Sequence, residues 1–149
     1  MIPLINKDKN KILEKLNEQY GIKNLPYLLI KFGENKLRIY SGNLSKEELS
    51  KLDKNLRIEN IGLYFAKIEK ENNIRLTFDG VSLLKEEITK NILIINKEQE
   101  NDWLKGNNLE IKSEKNWKII KYEDDFLGCG KSTGEKITNF IPKERRIKN

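Results

Sequence analysis

The sequence predicts an α+β fold, with a small α/β N-terminal domain over residues 1–88 packed on a C-terminal β-pseudobarrel over residues 89–149. Three observations carry this. Helix and hairpin patterns alternate through the first half without the strand–helix–strand rhythm of a doubly wound sheet. About five short strand-type runs crowd the last 60 residues, where an open sheet would leave its edges unprotected. No glycine- or proline-rich linker separates the halves, so they are expected to pack together.

The elements follow in order. Ile12, Leu13, Leu16 and Tyr20 recur at helical spacing, so a helix is predicted over 8–20, with Asp8 as its cap and Gly21 as its stop. The runs 27–32 and 36–40 flank Gly33-Glu34-Asn35 and read as a β-hairpin. Ser45 and Glu48 form a capping box opening a short helix over 45–52. A second hairpin is predicted from 62–69 and 74–78, turning around Asn72-Asn73, and Asp79 then caps a short helix through Ile88. In the second half, 91–95 is a strand and Asn96 caps a helix with Gln99 in its third position. Gly106-Asn107-Asn108 ends that helix. Strands are predicted over 109–111, 117–122, 126–131 and 137–141, with a turn at Glu123-Asp124-Asp125.

Composition narrows the chemistry. The 149 residues contain no histidine and one cysteine, Cys129. A Ser-His-Asp triad, a Cys-His dyad, a His-ligated metal or an intramolecular disulfide cannot be built from them. Nothing near Met1 reads as a signal peptide, and no apolar run approaches the roughly 18 residues that span a bilayer. A cytoplasmic protein with no membrane contact is expected. Lys and Arg number 29 against 23 Asp and Glu, a net charge of +6. Lys, Asn and Ile are all abundant, the signature of an AT-rich genome, so total charge says little and its placement says more. Residues 131–149 hold six cations, Lys131, Lys136, Lys143, Arg145, Arg146 and Lys148, against only Glu135 and Glu144.

That basic stretch adjoins Gly128, Gly130 and Gly134. Glycine within a strand marks a bulge, a bend or a close backbone approach. Beside the Ser132 and Thr133 hydroxyls and the cations, such an approach suits a phosphodiester backbone. The same glycines equally fit barrel corners, and the same cations a solvated tail. The spacing is wrong for a phosphate loop or a dinucleotide fingerprint. Cys129, between two glycines and without a histidine to activate it, reads as a small side chain facing a barrel interior. Asp124 and Asp125 read as a turn, and Trp103, Trp117, Tyr27, Phe32, Tyr64 and Phe65 as core.

Leu104-Lys105-Gly106, Gly128-Cys129-Gly130-Lys131 and Asn139-Phe140-Ile141-Pro142-Lys143-Glu144-Arg145-Arg146 occur in the order found in one family. Over about residues 90–147 the chain resembles the PUA superfamily of RNA-binding domains, nearest the PUA-like domain that ends RsmF/NSUN-type RNA cytosine methyltransferases. Residues 62–84 look like the segment preceding PUA in those proteins, and the two-domain layout is similar to that of Nip-family ribosome-biogenesis factors. Asn107-Asn108 replace the Pro-Gly pair common after the helix. The Pro-Cys and Thr-Cys-Ser contexts of the methyltransferase cysteines are absent, as is the cofactor loop for S-adenosylmethionine.

The resemblance therefore implies RNA binding without catalysis, cofactor or metal. The expected function is a stand-alone RNA-binding protein acting on structured rRNA or tRNA in RNA modification or ribosome biogenesis. The alternative is a protein-interaction subunit docking on a separate RNA methyltransferase or ribosome-assembly factor. Lys131, Lys136, Lys143, Arg145 and Arg146 are the candidate phosphate contacts. Ser132 and Thr133 are candidates for hydrogen bonds to phosphate or 2′-hydroxyl, Asn139 for a polar or structural role, and Gly128, Gly130 and Gly134 for close backbone approach.

Overall fold

In the computed structural model, which describes residues 2–4, 6–56 and 61–148, helix α1 runs Asn6–Tyr20. It starts two residues before the predicted position, so Asp8 lies inside the first turn instead of capping it. A carboxylate there still opposes the positive helix end favourably. Leu16 and Tyr20 are fully buried. Gly21, at φ 79°, ends the helix. Its left-handed backbone lets the Ile22 N–H reach the Leu16 carbonyl at 3.4 Å and its own N–H reach Asn17 at 2.9 Å.

The first sheet is antiparallel throughout, in the order β1 (Ile2–Pro3), β2 (Leu28–Phe32), β3 (Lys36–Tyr40), β4 (Leu63–Ile68) and β5 (Ile74–Leu76). Both predicted hairpins are present. Strand β1 was not anticipated, because two residues are too few to show a period. Helix α2 (Lys46–Leu56) opens on the predicted box: the Ser45 hydroxyl accepts from the Glu48 N–H at 3.1 Å. Helix α3 (Phe78–Leu84) is capped by Thr77, not Asp79; the Thr77 hydroxyl accepts from the Gly80 N–H at 2.9 Å. A 3₁₀ turn, Lys85–Glu87, completes that segment.

The second sheet runs β6 (Ile92–Ile94), β7 (Trp117–Tyr122), β8 (Asp125–Ser132) and β9 (Ile137–Asn139). Helix α4 (Lys97–Leu104) connects β6 to β7, which pair in parallel. Its capping box joins Asn96 and Gln99 reciprocally. The predicted strand 109–111 is reduced to one bridge, Leu109 to Ile137. The sheet thus curls past β9 only as far as Leu109, and ends at β6 on its other side.

One apolar cluster joins the halves. Tyr20, Leu37, Phe65, Ile74 and Leu76 pack in it with Trp117, Ile119 and Cys129. A second cluster, with Trp103, Leu109, Ile120, Leu127, Ile137 and Ile141, lies within the C-terminal sheet and α4. The alternation of side chains along β7 explains the division: Ile119 faces the first cluster and Ile120 the second. Trp103 and Trp117 are core as expected, at 0% and 6% exposure, and the Trp103 indole donates to the Leu127 carbonyl. Phe65 is buried too. Tyr27, Phe32 and Tyr64 are only half-buried, and cations cover two of them: Arg38 lies over Phe32 and Lys36 over Tyr64. Alternation marks the inward face of a strand but not how completely the outer face is covered.

Candidate nucleic-acid interface

The glycine-rich strand β8 is where sequence and structure differ most. Its pairing with β7 shifts between Ile119↔Cys129 and Lys121↔Phe126, so Ile120 faces both Leu127 and Gly128, a β-bulge. Gly128 takes φ 91° there, and a Cβ on it would come within 3.1 Å of the Phe78 ring. A Cβ on Gly130 would lie 2.6 Å from Ile137 Cγ2 and 2.7 Å from Trp103 Cη2. Both glycines are buried. The close approach they allow is by the protein's own side chains, so the expectation of ligand access at these two positions is corrected. Gly134, half-buried at φ 100°, lies in the turn before β9.

Cys129 lies between the halves and not inside a barrel. Its Sγ is 3.8 Å from the Tyr20 hydroxyl, which itself donates to the Ile74 carbonyl. Burial pushes the thiol up to about 11, against opposing pulls that begin with the Tyr20 hydrogen bond. Tyr20 is likewise raised well above 10, first by burial and then by Cys129. Neither group is poised as a nucleophile at neutral pH.

Ser132 is also corrected. It is 1% exposed, and its hydroxyl pairs with Ser113 Oγ at 2.7 Å while accepting from the Gly134 N–H at 3.2 Å. Asn139 is wholly structural. Its amide donates to the Trp103 carbonyl at 2.7 Å and the Asn107 carbonyl at 3.0 Å, and its oxygen accepts from Ile141 at 2.8 Å. The Trp103 carbonyl, in the last turn of α4, also accepts from the Gly106 N–H at 3.0 Å, so Asn139 adds a second, tertiary donor at the helix end.

The remaining candidates are exposed, and they divide. Lys131, Thr133 and Lys136 sit at or near the β8–β9 turn, where the Thr133 hydroxyl pairs locally with Lys136. Lys143 and Arg145 lie in a 3₁₀ turn past the opposite end of β9. There the Arg145 guanidinium sits 5.1 Å from the Phe78 ring centre and donates to Asp79 at 2.8 Å. Arg146 is half-buried: its Nε donates to the Ile141 carbonyl at 3.0 Å, and its side chain lies where any Cβ on Gly106 would be. Next to it the Ile147 N–H reaches the Leu104 carbonyl at 2.8 Å. The Leu-x-Gly motif and the closing Asn…Arg motif therefore hold each other, with the Arg146 Nε as a clasp between them.

A groove of about 400 Å³ opens beside Lys131. Lys115, Asn116, Trp117 and Thr133 line it from the C-terminal half, and Lys70 and Asn73 from the β4–β5 turn. Lys131 Nζ lies 5.6 Å from the Trp117 ring centre. Next to Trp117, Phe140 is 37% exposed, with ring centres 5.3 Å apart, and the Arg75 guanidinium sits 4.8 Å over Phe140. Lys70, Arg75 and Lys115 had drawn no attention in the sequence, and Phe140 only as a member of the closing motif. Lysines are everywhere in this chain, and only the pairing of the two sheets brings these residues together. Among the described residues, no helix is long and apolar enough to cross a membrane.

Comparison with known proteins places the C-terminal half. Residues 90–147 match the family model described as the methyltransferase RsmF PUA domain. No curated protein matches the chain. The matched span begins just before β6 and closes with the Arg146 clasp, so it contains the whole second sheet and α4. Residues 90–147 form a PUA-like domain related to that of RsmF, which points to RNA binding.

Proposed function

We propose that this chain binds structured rRNA or tRNA, in RNA modification or ribosome biogenesis, and supplies no catalytic group of its own. The observation that carries the reading is the PUA-like domain of residues 90–147, whose exposed surface presents Lys131, Lys136 and Lys143. Structured RNA is recognised chiefly by its shape and by phosphate and 2′-hydroxyl contacts. Exposed lysines and the Thr133 hydroxyl suit such contacts, with Arg145 available once it leaves Asp79. Any methyl transfer would come from a separate enzyme, since the one thiol is buried and held protonated. The N-terminal residues 1–88 act in this reading as a supporting domain that shares the core.

The test uses purified protein with no partner present. It should retard total tRNA or rRNA fragments in a gel, with affinity falling by roughly 0.7–0.9 log units per log unit of salt for each phosphate neutralised. The triple variant Lys131→Glu, Lys136→Glu, Lys143→Glu should lose binding while keeping its melting temperature. Unchanged affinity in that variant would defeat the reading.

A further inference from the structure

The seam between the halves carries more than packing. Phe140 leaves the end of β9 and stands over the junction, 37% exposed although it touches Trp117 and Arg75. Arg75 is on β5, in the N-terminal half, and is only 15% exposed. Its Nε is fixed to Glu69 at 3.1 Å, and that carboxylate also has Lys67 at 4.0 Å. The guanidinium is thus held in place over one part of the ring while the rest stays open to solvent.

Trp117 also lines the 400 Å³ groove, which is within the size range of pockets that take small ligands. Lys70 enters it from one half, and Lys115 and Lys131 from the other. Glu69 and Glu71 also line it, but Glu69 is neutralised by its two cations. The Lys70 wall is a tight turn in which Glu71 and Asn72 both hold φ 60°, a left-handed backbone that side-chain-bearing residues seldom adopt. An ordered aromatic platform adjoining a cationic groove of nucleotide size is the arrangement that binds single strands. Bases stack on the ring, and the backbone follows the charge.

We propose that the seam holds an unpaired segment of the bound RNA, with one base stacked on Phe140 and the backbone passing Lys131, Lys115 and Lys70. This rests on the RNA-binding reading above and extends it: residues outside the PUA-like domain, Lys70 and Arg75, take part, and paired stems alone do not satisfy the site.

The test measures fluorescence anisotropy of three RNA hairpins: one fully paired, one with a three-nucleotide bulge, and one with the same bulge made abasic. The full chain should bind the intact bulge about tenfold more tightly than either of the others, the size of effect that one stacked base supplies. Phe140→Ala should remove that preference and leave paired-stem affinity within about twofold. Phe140→Leu, which keeps apolar bulk against Trp117, should do the same if the alanine variant melts early. Lys70→Glu should weaken the bulged hairpin more than the paired one, and Glu71→Gln should strengthen it. Equal binding of all three hairpins, or variants that weaken paired and bulged RNA alike, would overturn the proposal while leaving RNA binding intact. Failure to bind any hairpin would overturn both.

Discussion

Arg145 Nη1 lies 2.8 Å from Asp79 Oδ1, an ion pair that joins the last 3₁₀ turn to α3 across 66 positions of sequence. Both side chains are 45% exposed, and the guanidinium also rests over Phe78. The free chain therefore holds one of its candidate RNA-binding cations against its own carboxylate. An exposed pair of this kind contributes up to about 1 kcal/mol to stability.

Asp79→Asn should free Arg145 at little cost to the fold. The melting temperature should move only slightly, and affinity for tRNA at low salt should rise about two- to fivefold, the equivalent of about 0.5–1 kcal/mol. High salt should erase the gain, because screening weakens exposed charges. Anisotropy titrations at two salt concentrations decide this. An unchanged affinity would show that Arg145 does not touch the RNA.

Stability should fall at alkaline pH through the Cys129–Tyr20 contact. The thiol's folded value is raised from 9.0 to about 11, so the unfolded chain loses this proton first. The contribution is fully present below pH 9 and is lost as pH rises through that window, by up to about 3 kcal/mol for a shift of about two units. Tyr20, also raised, adds to the loss at higher pH. Urea melts across this range should show the decline, and Cys129→Ala should flatten its lower part. A thiol reagent should label Cys129 only after unfolding.

Gly130→Ala should destabilise the fold by roughly 1–3 kcal/mol, since its methyl group would press on Ile137 and Trp103. Gly128→Ala should cost about 1–2 kcal/mol from the left-handed backbone alone. Chemical denaturation measures both. RNA affinity per folded molecule should stay close to wild type, the opposite of what a ligand-contacting glycine would give.

Ser132→Ala and Asn139→Ala should likewise separate from Lys131→Glu. Asn139 makes three hydrogen bonds to backbone, and its loss should cost roughly 2–3 kcal/mol at unchanged RNA affinity. Lys131→Glu should weaken RNA binding and leave the unfolding midpoint in place.

Local signals carried much of the fold. The capping boxes at Ser45 and Asn96, the stop at Gly21 and both N-terminal hairpins depend on neighbours within a few residues, and sequence spacing reads such interactions directly. Misassignments arose where two local candidates compete or where a distant partner decides. Thr77 caps α3 in place of Asp79, and 109–111 makes one bridge instead of a strand. The PUA-like motifs were legible as a pattern, but how they fit together was not: Gly106, read only as the end of α4, lies against Arg146, and Asn139 ties the same helix end.

By itself, the sequence determined the α+β class, the position of the PUA-like domain, the absence of histidine chemistry and the concentration of cations after residue 130. Only the tertiary structure decided which of those cations are available. Charge and residue type are properties of single positions, whereas exposure depends on what the two sheets bury when they close on a common core. That closure put Ser132, Gly128 and Gly130 inside, tied Arg145 and Arg146 to the protein, and brought Lys70 and Arg75 from the first half beside Phe140 and Lys131 of the second.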